Sequence, residues 1–443
     1  MEHERGDKMY TEDEKIGFSN AAESLKKYRR AELVDDNSGK SLLDKLYVDL
    51  LPGNVVLEKC MRDNTTFLVG RKGTGKSTIF LKLENEYRKR KQFLPCYVDV
   101  KTIYESSQAQ AINQPYLEEF FDEESLNKYL ISRNFIRSIL KGIYEEIDKQ
   151  RQSIWERIAN KVRGNGNESI KRQLSELLYK IEDNEKLKEV EIPILQQRKN
   201  KLNKESRNQE ECVENSSANM NANIKKIDAG VKNEVKYGDI NECRDGNETE
   251  YTNILLQVFE IKNIIDEIKS ILKKMGIIKL VIMLDDVSEI EETAIKLFID
   301  TVVAPLNNWS EEFVKFKVAF YPSRVHYGKI DPGKIDIINL DFYNLYSEFD
   351  TNKMEENAID FTRRLLENRF QYYVGSIDQF FDDKMTMTDV YTMFFRTSMN
   401  VPRIMGYLLA YLYQSVIIYG KKITKQDIEN ASEKYYEDNI DAF

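Results

Sequence analysis

Residues Gly70 to Ser77 read GRKGTGKS, the spacing GxxxxGK[ST], between an apolar run (Thr65, Thr66, Phe67, Leu68, Val69) and a helix-prone run from Thr78 to Tyr87. Strand, glycine-rich loop and helix in that order constrain the chain to an α/β fold whose loop cradles phosphate. Gly70, Gly73 and Gly75 let the backbone turn its N–H groups inward, and the helix starting near Lys76 adds its positive end. Arg71, Lys72, Thr74 and Thr78 complete the expected contact set by their place in the loop. Lys76 is expected to reach β- and γ-phosphates and the Ser77 hydroxyl to ligate Mg²⁺, which makes ATP with Mg²⁺ the expected ligand pair.

At 443 residues the chain is too long for one small core, so further units are expected beside a nucleotide-binding one. Cys60, Cys96, Cys212 and Cys243 lie far apart with no CxxC pair, and the N-terminus carries no secretory pattern. Neither a disulfide framework nor a zinc site follows, and a reducing cytoplasm is the expected compartment. No apolar run reaches the roughly 18 residues that span a bilayer, so no membrane partner is expected.

The net charge of −9 argues against a permanent basic surface for nucleic acid, although clusters such as Lys26, Lys27, Arg29, Arg30 and Arg88, Lys89, Arg90, Lys91 exist. His3 and His326 are the two histidines. Catalysis is therefore expected to rest on carboxylates, lysine and Mg²⁺ rather than on a histidine triad.

The pattern divides the chain into an N-terminal helical segment (1–62), a core in two parts (63–104 and 277–345), a mainly helical insertion (105–276) and a helical lid (346–443). Residues 1–15 read as a mobile tail, Ser19 to Tyr28 as a helix, and Leu42 to Met61 as a helical stretch interrupted at Pro52 and Gly53. Phe93 to Val100 alternates as a second strand. Within the insertion, apolar residues from Ile136 to Val162 and Ile170 to Leu187 recur at helical spacing. Residues 199–250 read as loop or disorder with a short hairpin near Ile224 to Val235, and Ile254 to Met275 as a helix closed by Gly276. That last helix is expected to cap the sheet rather than form half of an antiparallel arm.

Leu280, Val281, Ile282, Met283 and Leu284 make the continuous apolar run that a strand buried on both faces requires, ending in Asp285 and Asp286. Asp285 is expected to hold Mg²⁺ through its water shell and Asp286 to orient or deprotonate the attacking water, with a shorter reach than glutamate. A fourth strand, Val314 to Phe320, leads to Tyr321, Pro322, Ser323 and Arg324 at the edge where open sheets bind ligands, and Ile335 to Asp341 reads as a fifth. Helices run from Met354 to Phe370 and Asp389 to Tyr419. Asn400, Val401, Pro402 and Arg403 begin an amphipathic helix whose first-turn cation calls for a nearby anion, either phosphate or a carboxylate.

GRKGTGKST, LVIMLDDV, YPSR and NVPRI together resemble the AAA+ and STAND class of P-loop ATPases, especially initiator-type ATPases and NB-ARC-like switches, over residues 16–105 and 277–435. The resemblance implies an ATPase core of the ASCE/AAA+ kind: a parallel sheet flanked by helices, with a helical lid. In it Asp285 and Asp286 are similar to a Walker B pair, Arg324 to a sensor 1 residue and Arg403 to a sensor 2 residue. Pro402 would then approach adenine, with Ile16, Gly17 and Phe18 covering the base. The LDDV segment is closer to the STAND pattern and Arg403 to the initiator type. Residues 423–443 are too short for the winged helix of initiators, so direct DNA loading is not expected.

The resemblance also implies a switch whose nucleotide state controls self-assembly or a partner protein, as in bacterial antiphage systems. A nucleic-acid-associated ATPase and a nucleotide-binding scaffold without turnover stand as alternatives. No NKxD segment for guanine follows the fourth strand. Arg363, Arg364 and Arg369 are candidates for an arginine acting on a neighbouring copy.

Overall fold

The computed structural model describes residues 10–26, 41–90, 92–110, 261–274, 276–309, 312–347 and 353–441. Between 134 and 176 it describes only 134, 138, 141–143, 145–150, 172–173 and 176. The loop-rich stretch 199–250 and the hairpin expected inside it lie outside these residues, as do most of the helices expected over 136–162 and 170–187.

Five strands form one parallel sheet: β1 (Thr65–Val69), β2 (Phe93–Asp99), β3 (Lys279–Asp285), β4 (Val314–Phe320) and β5 (Ile335–Asn339), in the spatial order β2-β3-β4-β1-β5. Every residue of β1 and β4 is buried, as strands covered on both faces require, and the burial extends to the polar Thr65, Thr66, Lys315 and Lys317. Pro95, which can donate no ladder hydrogen bond, sits in β2 at a sheet edge.

Successive side chains divide between the two faces. Leu280, Ile282, Leu284, Phe316, Val318 and Phe320 enter one core, shared with Ile103, Ile268, Leu272 and Ile295 from the helices that follow β2 and flank β3. Leu68, Val281, Met283 and Ala319 enter the other, shared with Ile79, Phe80 and Leu83 of the helix Lys76–Lys89. The chain leaving β1 thus crosses on the face opposite to the helices after β2 and β3. Such a reversal opens a crevice at the carboxyl ends of the strands, here between β1 and β4.

The second core continues into the C-terminal helices Met354–Tyr373, Met387–Ser398, Pro402–Ser415 and Lys425–Tyr436. The N-terminal segment is divided between units. Its first helix, Glu12–Lys26, packs on Pro402–Ser415 and Met354–Tyr373, with Phe18 against Phe370 and Phe380. This helix begins seven residues before the expected Ser19, inside the stretch read as a mobile tail. The reason is a reciprocal cap: Glu14 N donates to Thr11 Oγ1 at 3.2 Å and Thr11 N to Glu14 Oε2 at 2.8 Å.

The expected helical stretch Leu42 to Met61 is also corrected. It is two short helices, Leu43–Leu46 and Val55–Cys60, parted at Tyr47–Leu51 rather than only at Pro52. Buried Asp49 organises the break by accepting from the amides of Leu51, Val56 and Leu57 and from the Tyr47 hydroxyl. Burial raises its carboxyl above the usual aspartate value against the pull of those donors.

In the insertion, Ile261–Lys274 lies on the sheet and closes at Gly276, whose φ of 78° suits a residue without a side chain. Arg88 at the end of the helix after β1 bridges buried Glu84 and Glu146, joining the core to the described helical residues 141–143 and 145–149. Cys60 and Cys96 are both buried. Among the described residues no single helix is long and apolar enough to cross a membrane.

Lys317 of β4 is buried and donates to the carbonyls of Arg62 and Asn64 and to Thr66 Oγ1. Burial pushes it down to about 8 from the ordinary lysine value of 10.5. Between these values the unfolded chain binds the proton that the folded chain has lost, so the residue's contribution to stability rises with pH. Denaturant titrations from pH 8 to pH 10 are expected to show wild-type stability rising relative to Lys317→Met.

Candidate functional site

Beyond β1 the backbone turns through Gly73 (φ 87°) and Gly75 (φ 94°), both left-handed, before Lys76 opens the helix. Only glycine enters that region without steric cost, so the loop's course is written into these two positions. Thr74 Oγ1 donates to the Arg71 carbonyl at 2.8 Å and tightens the turn. The Lys76 ammonium folds back on the loop, donating to Gly70 O at 2.7 Å and Arg71 O at 3.0 Å, with its charge 4.6 Å above the Tyr321 ring.

A cavity lies over this loop. Its polar end is walled by Lys72 through Thr78, by Asp285 and Asp286 beyond β3, by Glu289 and Tyr321, and by Pro402 and Arg403 of the lid. Its other end is mostly apolar, formed by Leu25, Tyr47, Val48, Leu50, Phe361 and Leu365, with Arg369. The elements are those that meet at the crevice between β1 and β4, so topology puts the charged groups together.

Asp285 is almost fully buried, accepting from the Tyr97 hydroxyl at 3.2 Å and from the Asp286 amide at 3.0 Å. Asp286 is held in the left-handed region (φ 54°, ψ 23°), which turns the chain sharply at the end of β3. A non-glycine residue there is uncommon, and aspartate is among those that tolerate it. Burial lowers the Lys76 ammonium to about 8, against the opposing pull of Asp285 and Asp286.

The lid meets the loop directly. A β-carbon on Gly73 would stand 2.9 Å from Arg403 Cβ and 3.0 Å from Val401 Cγ1. Met399 and Asn400 are both left-handed (φ 48° and 60°) and turn the chain into the helix Pro402–Ser415. Asn400 is fixed by Thr362 Oγ1, which donates to its Oδ1 at 2.9 Å. Arg71 ties the loop to this turn and to the exit of β5, with Nη2 donating to Met399 O at 3.2 Å and Nε lying 2.9 Å from Asp341 Oδ2.

The predicted site residues divide accordingly. Lys72, Gly73, Thr74, Gly75, Lys76, Ser77, Thr78, Asp285, Asp286, Pro402 and Arg403 line one cavity, whereas Gly70 and Arg71 brace the loop outside its wall. Arg324 stands apart from the wall, and its Nη1 donates to the carbonyls of Ser288 at 3.0 Å and Ile290 at 2.8 Å. Ile16, Gly17 and Phe18 do not line the cavity: Gly17 abuts Tyr373 and Val374, and Phe18 is in the core.

Of the arginines considered for action on a neighbouring copy, Arg363 pairs with Asp360 and Glu367, and Arg364 pairs with Asp360 and donates to Asp49 O and Leu50 O. Arg369 is buried in this chain's own cavity wall, donates to Leu46 O, and is lowered by burial to about 10. Of the described basic cluster residues, Lys26 pairs with Glu23, Arg88 with Glu84 and Glu146, and Lys89 with Asp44 and Glu86, whereas Arg90 is exposed with its Nη2 against Met61 Sδ.

Residues that sequence reasoning did not single out are Glu289, Tyr97, Lys101 and the Leu46–Leu50 segment; Tyr321 was placed at the strand edge without a role, and Arg369 was considered only for a neighbouring copy. Tyr321 and Glu289 carry the one available signal, their closeness to the ends of apolar strands at the sheet's ligand-binding edge. The others reach the site only through tertiary packing. Comparison with protein-family models, curated proteins and solved structures finds no match for the chain.

Gly73→Ala is expected to lower stability by about 1–3 kcal/mol in denaturant titrations, because it combines a disfavoured backbone angle with displacement of the lid.

Proposed function

We propose that the chain is a cytoplasmic, Mg²⁺-dependent ATPase of the P-loop class, built on an ASCE/AAA+-like core, whose nucleotide state controls self-assembly or a partner protein. The observation that carries this reading is the convergence of the glycine loop with Lys76, the aspartates ending β3 and the lid's Arg403 on one cavity. The apolar end, walled by Tyr47, Val48 and Phe361, suits a nucleotide base.

The donor set fits Mg²⁺ as a shared ion. Among the described residues no cluster of three or more His, Cys, Asp or Glu side chains could hold a metal alone. Mg²⁺ takes one or two protein oxygens and completes its shell with phosphate and water, so the Ser77 hydroxyl and the buried Asp285 carboxylate are an adequate pair. When bound, the ion neutralises charge building on the phosphate oxygens. The loop amides and Lys76 hold the phosphates in line, Asp286 orients or deprotonates the water, and Arg403 brings lid charge to the terminal phosphate.

Because Arg403 and Val401 touch Gly73, a change in phosphate occupancy acts on the lid without an intermediary. That contact supports a switch over a passive scaffold, and control of an antiphage effector is one use consistent with it. Lys26, Arg88 and Lys89 are paired with carboxylates of the chain itself, which weakens the case for a nucleic-acid role.

Lys76→Ala is expected to abolish Mg²⁺-ATP binding in calorimetry with little change in thermal midpoint, since a phosphate contact is lost and no core packing. Unchanged affinity would overturn the site assignment. Asp286→Asn is expected to bind ATP normally while phosphate release falls at least about 100-fold. Equal background release from wild type and variant would instead point to a scaffold that does not turn nucleotide over.

A further inference from the structure

We propose that Glu289 is an internal stand-in for the terminal phosphate, a carboxylate that an incoming triphosphate must displace and a diphosphate need not. This rests on the nucleotide reading above and adds a residue that sets the choice between the two nucleotide states.

Glu289 ends the short turn Val287–Glu289 directly after Asp286 and lines the cavity. Its Oε1 accepts from Lys72 Nζ at 3.1 Å and from the Tyr321 hydroxyl, and its Oε2 lies 4.0 Å from Lys101 Nζ. Partial burial would raise the carboxyl, but Tyr321, Lys72 and Lys101 outweigh it and hold Glu289 below the usual glutamate value. It is therefore an anion surrounded by donors at neutral pH. Tyr321 extends the chain of contacts, because its ring lies beneath the Lys76 ammonium.

The two ends of this network differ in attachment. Glu289 is anchored to the sheet: Tyr321 N donates to Ser288 Oγ at 2.8 Å, and Arg324 Nη1 clasps the carbonyls of Ser288 and Ile290. Lys72 belongs to the phosphate loop and its side chain is half exposed. The Lys72–Glu289 pair thus ties loop to strand exit across the cavity wall. A loop of this kind cradles the α- and β-phosphates with its amides, and only the third phosphate reaches past the lysine toward the strand ends.

There it meets the Glu289 charge and competes for the same donors. Displacing Glu289 frees the loop's tie to the turn that Arg324 holds, which gives Arg324 a positioning role without contact to phosphate.

The test compares wild type, Glu289→Gln and Tyr321→Phe for binding of Mg²⁺-ADP and of the Mg²⁺ complex of the β,γ-imido analogue of ATP. Glutamine keeps the shape and removes the competing charge. The expected result is ADP affinity within about twofold of wild type and triphosphate affinity raised about two- to fivefold, the range for releasing a partly exposed ion pair. Tyr321→Phe should shift the same ratio in the same direction by less.

An unchanged triphosphate-to-diphosphate ratio in Glu289→Gln overturns the proposal, as does weaker binding of the triphosphate. Loss of both nucleotides in that variant alone would make Glu289 a structural brace of the loop and also overturns it. Failure of the wild type to bind either nucleotide would remove the nucleotide reading itself and the proposal with it.

Discussion

The missing side chain at Gly73 is the constraint on which the site depends. With no β-carbon there, Val401 and Arg403 lie on the glycine-rich loop at distances that any side chain would block. The approach is held by a costly turn: two successive left-handed residues, Met399 and Asn400, of which only asparagine is suited to that conformation. Thr362 and Arg71 hold the turn in place through Asn400 Oδ1 and Met399 O. Strain of roughly 1–3 kcal/mol persists where neighbours over-determine it, and here those neighbours belong to the lid and the loop at once.

The sheet explains why this contact falls beside the acidic strand ends. The chain leaves β1 on one face and the helices after β2 and β3 cover the other, so the carboxyl ends of β1 and β4 open a crevice. The lid helices join the core on the face of the Lys76–Lys89 helix and approach the crevice from that side. Phe18 of the N-terminal helix is part of the same core, meeting Phe370 and Phe380 edge to face, and braces the C-terminal helices from outside the cavity. Movement of the lid therefore has to carry residues 12–26 along or break apolar packing.

The legible parts were those in which a local pattern has a single physical use. GRKGTGKS after an apolar strand and LVIML before Asp285 and Asp286 each place a charge at a strand end, and all five strands lie where hydrophobic runs indicate. The cap joining Thr11 and Glu14 was equally local, but a charged, unpatterned neighbourhood hid it. Glu289 was not legible and Arg369 was read only for a neighbouring copy, because what brings them to the cavity is the packing of separate elements. Arg324 shows the converse: a strand-exit arginine looks the same in sequence whether it faces phosphate or clasps carbonyls two turns away. The segment Tyr47–Leu50 was obscured because Asp49 breaks a helical pattern from within, by satisfying amides that a continuous helix would have used.

The charged groups of the cavity carry an excess of cations. Lys72, Lys76, Lys101, Arg369 and Arg403 share one enclosure with Asp285, Asp286 and Glu289. Burial makes an isolated ammonium costly, as the fall of Lys76 to about 8 records, and the aspartates limit that fall. On the proposed nucleotide reading, a polyphosphate entering with a divalent ion would add anionic oxygens to the cations and a cation to the aspartates. Glu289 would gain none, because its partners are the ones the phosphate would take. Among the three carboxylates it is therefore the one whose surroundings that reading requires to change, and the turn that carries it is fastened to β4.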